Sequence, residues 1–365
     1  MRIVVVGAGA IGANIAYRLV CEGGDVTLVD PAPGAGTSRA SFSWLSTFPQ
    51  VAWPEPAGQA RLRLSVNDRF DRLHEALGGD WLDWSGTLTF AEAVPGFDAA
   101  VAGCRAAGIA LDLLDAAEIA ELAPELRPAP DARAALELRS GWVDAPRMID
   151  LLVRNFQSLG GHLLRGEVAA ISRRGDRVTG VELRDGRTLE ADMVVLATGA
   201  ATPAVAAMAG LAIPVSLAPG VMLYAGAGRE GLPRQVVNGA AWLARPDYDH
   251  GLALHWRGES LTRSHALNGA SAAGMLADIA RTIPALTDVP LSDVRIGIRA
   301  MPTGGPVIGG LPWLAGLYLA VSHGGIGWGP VWAELVAREI LQGERVADLA
   351  EMRPARFYAR DASDG

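Results

Sequence analysis

The stretch Gly7-Ala8-Gly9-Ala10-Ile11-Gly12 stands near the start of the chain and decides the fold. It follows residues 2–6, a β-branched run typical of a buried strand, and precedes residues 13–21, where apolar spacing predicts a helix. A second predicted strand, residues 26–30, ends at Asp30, which is placed to accept hydrogen bonds from a ribose hydroxyl. This order of strand, glycine-rich turn, helix and acid-ended strand indicates a dinucleotide-binding βαβ unit.

The residues of this turn have separate tasks in such a unit. Gly7 permits the tight turn, Gly9 lets the backbone approach a pyrophosphate, and Gly12 lets helix and strand pack closely. Ala10 and Ile11 lie at the helix N-terminus, whose amide N–H groups can bind phosphate oxygens. The alternative is a purely structural glycine turn, but the strand, helix and acid in register favour a bound cofactor.

Length and composition limit the class of protein. The chain has 365 residues, half of them hydrophobic, which suits two domains or one large α/β unit. The formal net charge is −8 and there is no basic run, so nucleic acid is not an expected partner. All 32 basic residues are arginine, which excludes a Schiff-base lysine. Together with abundant Ala and Gly, this composition is typical of a GC-rich bacterial genome.

The cysteines and the apolar N-terminus bear on location. Cys21 and Cys104 form neither a metal motif nor a disulfide framework, so we expect no metal site and a reduced, cytoplasmic setting. Residues 1–20 are apolar enough to suggest a signal peptide or a membrane span, but glycines, Asn14 and Arg18 interrupt them. We therefore expect no interaction with a membrane.

The remaining patterns predict a discontinuous nucleotide-binding domain. Helical spacing covers residues 146–159 and 331–341, and strand-like runs cover residues 166–172, 178–183, 193–197, 295–301 and 317–321. The intervening segments carry more Trp, Pro and paired strand-like runs. The sequence therefore predicts an α/β fold with a Rossmann-like domain of residues 1–85, 140–213 and 295–365. Residues 86–139 and 214–294 would form an inserted substrate-binding domain built on an antiparallel sheet.

Four motifs, in this order, carry a resemblance to a known family. They are Gly7 to Gly12 with Asp30, the loop Gly36-Thr37-Ser38-Arg39-Ala40-Ser41-Phe42-Ser43-Trp44, the triplet Ala197-Thr198-Gly199, and Gly297-Ile298-Arg299 followed by Pro306-Val307-Ile308-Gly309 and His323-Gly324-Gly325-Ile326-Gly327. Together they span nearly the whole chain. The chain resembles the D-amino-acid oxidase superfamily, particularly its glycine oxidase and sarcosine oxidase branch.

The resemblance implies FAD as the cofactor. It places Thr37 and Ser38 at the pyrophosphate, the segment from Ser41 to Trp44 beside the flavin ring, and the backbone of Val168 against adenine. The implied cofactor-binding set further includes Arg39, Ser43, Thr198, Gly199, Arg299 and, at the pyrimidine end of the ring, Gly324, Gly325, Ile326 and Gly327. The alternative for the hydroxyl-rich loop is a simple turn with side-chain caps.

Arg299 is the substrate anchor that the resemblance implies. A guanidinium fork matches a substrate carboxylate, and the alternative is a structural ion pair. His323 is a second catalytic candidate that could contact the flavin, with a plain turn role as the alternative. Trp242 and His255 could wall the amine pocket, or pack in the core of a sheet.

Several positions depart from the family pattern. Gly297 stands where sarcosine oxidases commonly attach flavin to a cysteine, so we expect noncovalent FAD. Gly325 stands near the place of a second arginine in glycine oxidase, and Trp242 roughly replaces its pocket tyrosine. Ala300 replaces the proline that usually follows the anchoring arginine. These departures leave the identity of the substrate undecided, although the arginine expected to bind its carboxylate is retained.

The resemblance implies oxidation of a small carboxylated amine, namely glycine, an N-substituted glycine or a D-amino acid. A hydride leaves the carbon next to nitrogen for flavin N5, water hydrolyses the imine, and oxygen reoxidises the flavin to give hydrogen peroxide. One alternative is a dehydrogenase that passes electrons to a quinone or a protein acceptor. Another is a non-catalytic flavoprotein acting as a redox-responsive binding module, against which Arg299 and the ring-lining glycines argue.

Overall fold

The described part of the protein contains two large sheets and one small sheet, with helices packed against them. The computed structural model describes residues 1–48, 55–256 and 269–358. The helices are α1 (Ala10–Cys21), α2 (Ala57–Leu62), α3 (Val66–Leu77), α4 (Phe97–Ala106), α5 (Ala116–Leu122), α6 (Ala145–Ser158), α7 (Thr202–Ala207), α8 (Gly269–Ala280) and α9 (Gly325–Gln342). The strands are β1 (Arg2–Val6), β2 (Asp25–Val29), β3 (Trp44–Leu45), β4 (Leu82–Asp83), β5 (Thr87–Phe90), β6 (Asp112–Asp115), β7 (Arg133–Glu137), β8 (Gly141–Val143), β9 (His162–Leu164), β10 (Val168–Arg174), β11 (Arg177–Leu183), β12 (Thr188–Glu190), β13 (Met193–Leu196), β14 (Val215–Gly226), β15 (Val236–Asn238), β16 (Trp242–Asp247), β17 (Gly251–Trp256), β18 (Leu291–Pro302), β19 (Val307–Leu311) and β20 (Leu314–Val321).

The first large sheet carries the glycine-rich turn. Its strand order is β10-β11-β20-β13-β1-β2-β9, with β12 added to β11 and β19 added to β20. β1 pairs in parallel with β2 on one side and β13 on the other. Val5 and Leu28 belong to the core beneath α1, α6 and α9, while Val4 and Val29 belong to the core on the other face. This layering is the Rossmann-like arrangement that the sequence predicts.

The second large sheet joins segments that are far apart in sequence. Its order is β18-β14-β17-β16-β15-β5-β7-β6. Neighbouring strands are antiparallel except β15 and β5, which are parallel. One face, with Leu88 and Leu254, forms a core with α5 and α8. The opposite face carries Met222 and Ala253, against which Phe42 packs. We call this opposite face the site face.

The small sheet connects the two large ones. Its order is β3-β8-β4, and Trp44 in β3 pairs with Trp142 in β8. β3 follows the hydroxyl-rich loop, and its Trp44 side chain contacts the site face through Thr87. The segment that enters β3 is therefore held between the two large sheets.

β18 runs across the predicted domain boundary at residue 295. It pairs with β14 from Leu291 to Pro302 as one continuous strand. Arg299 therefore lies on the second large sheet, although the predicted division assigns it to the Rossmann-like domain. We keep the two-domain division as a proposal, with the whole of β18 in the second sheet.

The last helix begins earlier than the predicted residue 331. α9 starts at Gly325. Glycine is a poor helix former, but a Cβ on Gly325 would lie 3.0 Å from the Ile11 side chain, and one on Gly329 would lie 2.8 Å from Asn14 Nδ2. Close packing against α1 therefore accounts for the glycines and overrides their low helix propensity.

Candidate active site

The glycine-rich turn has the close contacts that the sequence predicts. Gly7 has φ +98°, and a Cβ there would lie 2.5 Å from the Ala197 carbonyl oxygen. A Cβ on Gly12 would lie 1.8 Å from the Gly7 carbonyl oxygen. Any side chain at these two positions would push β1, β13 and α1 apart. The tight turn and close packing expected of these glycines are thus present.

The start of α1 is open to an anion. Gly9 is its N-cap and offers no side-chain cap. Ser38 Oγ accepts a hydrogen bond from the Ala10 N–H at 3.0 Å, while Ile11 and Gly12 follow in the first turn, where amide N–H groups lack acceptors within the helix. A Cβ on Gly9 would lie 3.2 Å from Ser38 Oγ, so the absence of a side chain there lets the serine hydroxyl sit beside these donors. A pyrophosphate fits this arrangement.

Asp30 fixes the backbone around the turn. Its Oδ2 accepts a hydrogen bond from the Ala8 N–H and its Oδ1 accepts one from the Ala32 N–H, each at 2.7 Å. Each carboxylate oxygen keeps a lone pair with which it can accept a ribose hydroxyl. The Asp30 carbonyl also accepts the Gly166 N–H at 3.4 Å, so the chain leading to Val168 passes beside it.

The hydroxyl-rich loop packs on β18. Thr37 Oγ1 donates to the Ile298 carbonyl at 2.6 Å. A Cβ on Gly297 would lie 3.1 Å from the Cβ and carbonyl oxygen of Ala40, so the absence of a side chain at 297 permits this contact. Arg39 is exposed. The loop therefore joins the Rossmann-like layer directly to the strand that carries Arg299.

The segment from Ser41 to Trp44 has an unusual backbone. Ser43 has φ +57°, and its Oγ donates to the Ser41 carbonyl at 3.2 Å. Trp44 Nε1 donates to Thr87 Oγ1 at 2.9 Å. The Phe42 and Trp44 rings meet edge to face, 6.4 Å between centroids. This segment is thus ordered by contacts on both of its sides.

The remaining predicted cofactor residues gather around the same turn. Thr198 lies 3.2 Å from the Cβ position of Gly7 and is followed by Gly199, which has φ +52°. Gly324 has φ +66° and precedes α9, whose first turn holds Gly325, Ile326 and Gly327. The Cβ position of Gly327 is 3.6 Å from Leu45. The starts of α1 and α9 and the strand β3 therefore meet at one place.

Arg299 is a half-buried cation on the site face. Its Nε donates to the Ala218 carbonyl at 3.4 Å and its Nη2 to the Pro219 carbonyl at 3.2 Å. The side chain passes over Gly220, whose Cβ position is 3.3 Å from Arg299 Nε. Burial lowers the pKa of Arg299, and no carboxylate of the described residues acts on it. Within that part of the chain, the structure does not show the ion pair that was the alternative.

His323 lies close enough to Arg299 to respond to its charge. Burial, and then the positive charge of Arg299, lower the pKa of His323 to about 4. Because the ring is neutral near pH 7, it adds no second positive charge beside Arg299. A neutral imidazole carries one donor and one acceptor nitrogen.

His255 and Trp242 lie on opposite faces of the second sheet. His255 pairs with Met222, so it shares the site face, and its ring centroid is 6.4 Å from that of Phe42. Trp242 is 6% exposed and packs in the core with Leu254 on the other face. Sheet-core packing, the alternative for Trp242, is what the structure shows. Side chains alternate between the two faces along β16 and β17, but which face becomes the site face depends on pairing with strands remote in sequence.

Three residues that the sequence did not single out hold the segment leading into and out of β3. Thr87 accepts from Trp44, Arg245 Nε donates to the Phe42 carbonyl at 2.7 Å, and Glu137 accepts from Ser46 Oγ at 2.6 Å. Burial raises the pKa of Glu137 despite its hydrogen bonds. They come from three strands remote in sequence, so no local pattern marks them.

The arrangement of these residues is that of a known protein family. The family model described as FAD-dependent oxidoreductase, DAO, matches residues 2–339. The chain belongs to this family. FAD is therefore its cofactor, as the sequence predicts, and the open start of α1, Asp30 and the glycine approaches fit a dinucleotide of this kind.

The chain is also similar, in sequence or in fold, to individual amine and amino-acid oxidoreductases. The chain is 28% identical to a D-amino acid dehydrogenase of Cereibacter sphaeroides over 394 aligned positions, covering 90% of this chain and 88% of the relative. Its fold is similar to that of glycine oxidase from Geobacillus kaustophilus, with a TM-score of 0.84 and 23% identity over 97% of this chain and 99% of the other. Iminodiacetate oxidase from Chelativorans sp. BNC1 gives a TM-score of 0.82 and 22% identity, with 97% and 99% coverage.

The described residues of this DAO-family chain provide neither a grouped set of metal ligands nor a helix that could cross a membrane. Across residues 1–48, 55–256 and 269–358, no three His, Cys, Asp or Glu side chains are grouped so that they could hold a metal ion. In the same ranges, no helix is both long and apolar enough to cross a membrane.

Proposed function

We propose that the protein oxidises a small amine that carries a carboxylate, at the carbon next to the nitrogen. Glycine, an N-substituted glycine or a D-amino acid meets this description. The observation that supports the proposal most directly is Arg299, a half-buried cation that no described carboxylate compensates. A substrate carboxylate is the natural counter-charge for it.

Arg299 would orient the substrate. Its two contacts with backbone carbonyls use fewer N–H donors than a guanidinium has, so donors remain for a carboxylate. Those contacts also restrict the side chain, which lowers the entropy lost when substrate binds. Gly220 leaves space beneath the guanidinium. When bound, FAD supplies the acceptor for the hydride, and fixing the carboxylate fixes the C–H bond to be broken.

His323 would act on the amine end. Because burial keeps the ring neutral, one ring nitrogen can accept a hydrogen bond from a neutral amine. A protonated ring would have two N–H donors and no nitrogen left to accept from the amine. We propose that His323 helps to bind the amine in its unprotonated form, which is the form that can lose a hydride.

The cofactor contacts are proposed from the family resemblance, and the geometry around the first turn of α1 supports them. The first turn of α1, with Gly9, Ala10 and Ile11, would bind the pyrophosphate together with the hydroxyls of Thr37 and Ser38. Asp30 would accept from the ribose, and the backbone at Val168 would meet adenine. The segment from Ser41 to Trp44 and the residues from Gly324 to Gly327 would border the flavin ring. Trp242, which packs in the opposite core, is left out of the proposed pocket.

The two candidate functions, oxidase and dehydrogenase, differ in the molecule that accepts electrons from the reduced flavin. Oxygen, which would give hydrogen peroxide, is the acceptor that the glycine oxidase resemblance implies. A quinone or protein acceptor is favoured by the name of the relative from Cereibacter sphaeroides, a D-amino acid dehydrogenase. The two are distinguished by turnover in air with peroxide detection, set against anaerobic turnover with an artificial quinone.

The substitution Arg299→Met tests the substrate class. It keeps the apolar stem and removes the charge, so FAD should stay bound. We expect kcat/KM for a carboxylated amine to fall by an amount corresponding to about 2–5 kcal/mol, the scale for breaking one partner of a buried charge pair. The loss should be much smaller for the decarboxylated analogue of the same amine. The measurement is kcat/KM for both substrates in both proteins.

Arg295→Met is the matched control for this experiment. Arg295 lies on the same strand and the same face, but it pairs with Asp293 at 2.6 Å. Its replacement should leave the preference for the carboxylate in place. Equal losses on both substrates in Arg299→Met would assign Arg299 to the flavin or to the strand, and the proposal of an amino-acid-like substrate would lose its support.

A further inference from the structure

The peptide group between Phe42 and Ser43 is held from the site face. Arg245 Nε donates to the Phe42 carbonyl at 2.7 Å, and the Ser43 N–H donates to Ser41 Oγ at 3.3 Å. Ser43 has φ +57°, a left-handed conformation that is costly for a residue with a side chain. Such a conformation persists where the surroundings fix the peptide, and a charge-assisted hydrogen bond is a strong way to do so.

Arg245 is itself held rigidly. It is 3% exposed, and its Nη1 donates to the Pro246 carbonyl at 2.7 Å and to Asp247 Oδ2 at 3.3 Å. Its guanidinium carbon lies 4.6 Å from the centroid of the Trp142 ring. A buried arginine with these partners has little freedom, so it also restricts the carbonyl of Phe42 that it binds.

Trp142 connects the same arginine to Trp44. Trp142 pairs with Trp44 across β8 and β3, and the Trp44 indole is tied to Thr87. Arg245 therefore acts on the segment at two points. It binds the carbonyl of residue 42 directly and packs against the strand partner of residue 44.

We propose that Arg245 is a positioning residue for the oxidation reaction. By fixing the peptide at Phe42 and Ser43, it would hold the segment from Ser41 to Trp44, which family resemblance places beside the flavin ring, against the site face that carries Arg299. It would touch neither substrate nor the reacting carbon. The effect on turnover rests on the proposed function, whereas the effect on the flavin rests only on membership of the family.

The test compares Arg245→Met with Arg295→Met in the FAD-loaded protein. Arg295 is a close match, because it also pairs with an aspartate and its guanidinium carbon lies 4.3 Å from an aromatic ring centroid, that of Tyr224. In the part of the chain that the structure describes, its hydrogen-bond partners are Asp293, Tyr224 and His250, and none lies in the segment from Ser41 to Trp44. We expect Arg245→Met to alter the shape of the visible flavin spectrum and the flavin reduction potential, and to lower kcat by about ten- to a hundredfold with a smaller change in KM. Arg295→Met should change none of these.

Arg245→Lys tests the positioning role of Arg245 if the methionine variant does not fold. Lysine keeps the buried charge beside Asp247 but cannot reproduce the planar fork that spans Phe42, Pro246 and Asp247. We expect the same spectral and kinetic changes at smaller size. A wild-type spectrum, potential and kcat in the folded variants would overturn the proposal, even if the melting temperature falls. Should no amine reduce the wild-type flavin, the proposed function fails, while the spectrum and potential still test Arg245.

Discussion

Three arginines on the site face differ in what compensates their charge. Arg245 pairs with Asp247, and Arg295 pairs with Asp293. Among the described residues, Arg299 has no carboxylate partner, and its guanidinium donates to two carbonyls of the neighbouring strand. A buried charge with a fixed partner holds a structure, while one without a partner is available to a ligand. This contrast is why we assign positioning to Arg245 and substrate recognition to Arg299.

Asp30 should contribute to FAD affinity through both of its oxygens. In Asp30→Ala the ribose loses an acceptor and the Ala8 and Ala32 N–H groups lose theirs. We expect FAD binding to weaken by about 1–3 kcal/mol, the range for leaving buried polar groups unpaired. Titration of apoprotein with FAD measures this. Asp30→Asn keeps one acceptor oxygen and should lose less, and a wild-type affinity in Asp30→Ala would remove the proposed role.

His323 should make the folded protein less stable at acidic pH. Its pKa in the folded protein is about 4, below the ordinary 6.5, so the unfolded chain binds more protons between these values. The free energy of unfolding should therefore be highest above pH 6.5 and fall by about 3 kcal/mol as the pH drops towards 4. Urea unfolding of the FAD-loaded protein at several pH values measures the effect. His323→Asn should flatten this part of the profile.

Two controls belong to the pH experiment. His162→Asn, at an exposed position in β9, should leave the slope in place. Arg299→Met should raise the pKa of His323 partway towards its ordinary value, because it removes the second cause of the shift and leaves burial. An unchanged slope in His323→Asn would show that other groups set the pH dependence.

At the scale of elements, the contact between β18 and the hydroxyl-rich loop bears on how FAD is held. Gly297 stands where sarcosine oxidases carry a flavin-linked cysteine, and here the Thr37 side chain and Ala40 fill the space beside it. Cys21 is exposed at the end of α1, and Cys104 packs in a separate cluster with Phe97. We therefore predict noncovalent FAD. Acid precipitation should leave the flavin in the supernatant, whereas flavin in the pellet would contradict this.

Element boundaries were predictable where the signal is local. The helix predicted at residues 146–159 is α6, whose start is fixed by Asp144 accepting the Arg147 N–H. The helix predicted at residues 331–341 begins six residues earlier, at Gly325. Contact with α1 explains that difference, and no pattern within α9 itself records such a contact. Local capping can be read from sequence, but close packing between distant helices cannot.

At the scale of the whole molecule, the cofactor half of the site was predictable and the site face was not. The turn at Gly7 and the acid at Asp30 lie within one short unit, so their spacing alone predicts a cofactor-binding role. The site face depends on register between remote strands: Thr87 pairs with Glu137 on one side and with Val236 on the other. A shift of one residue would exchange its two faces, which is why Trp242 could not be separated from His255 beforehand.

The parallel pairing of β5 with β15 has a consequence for synthesis. Val236, Val237 and Asn238 of β15 lie opposite Thr87, Leu88 and Thr89 of β5. The ribosome therefore makes β5 long before the strand that pairs with it. Until then a nascent chain leaving the ribosome exposes the edge of β5 and its apolar Leu88 and Phe90. Closing so long a loop is slow, and unpaired edges invite association between chains. Production of this protein should therefore be limited by the yield of folding, and slower synthesis at low temperature should raise that yield.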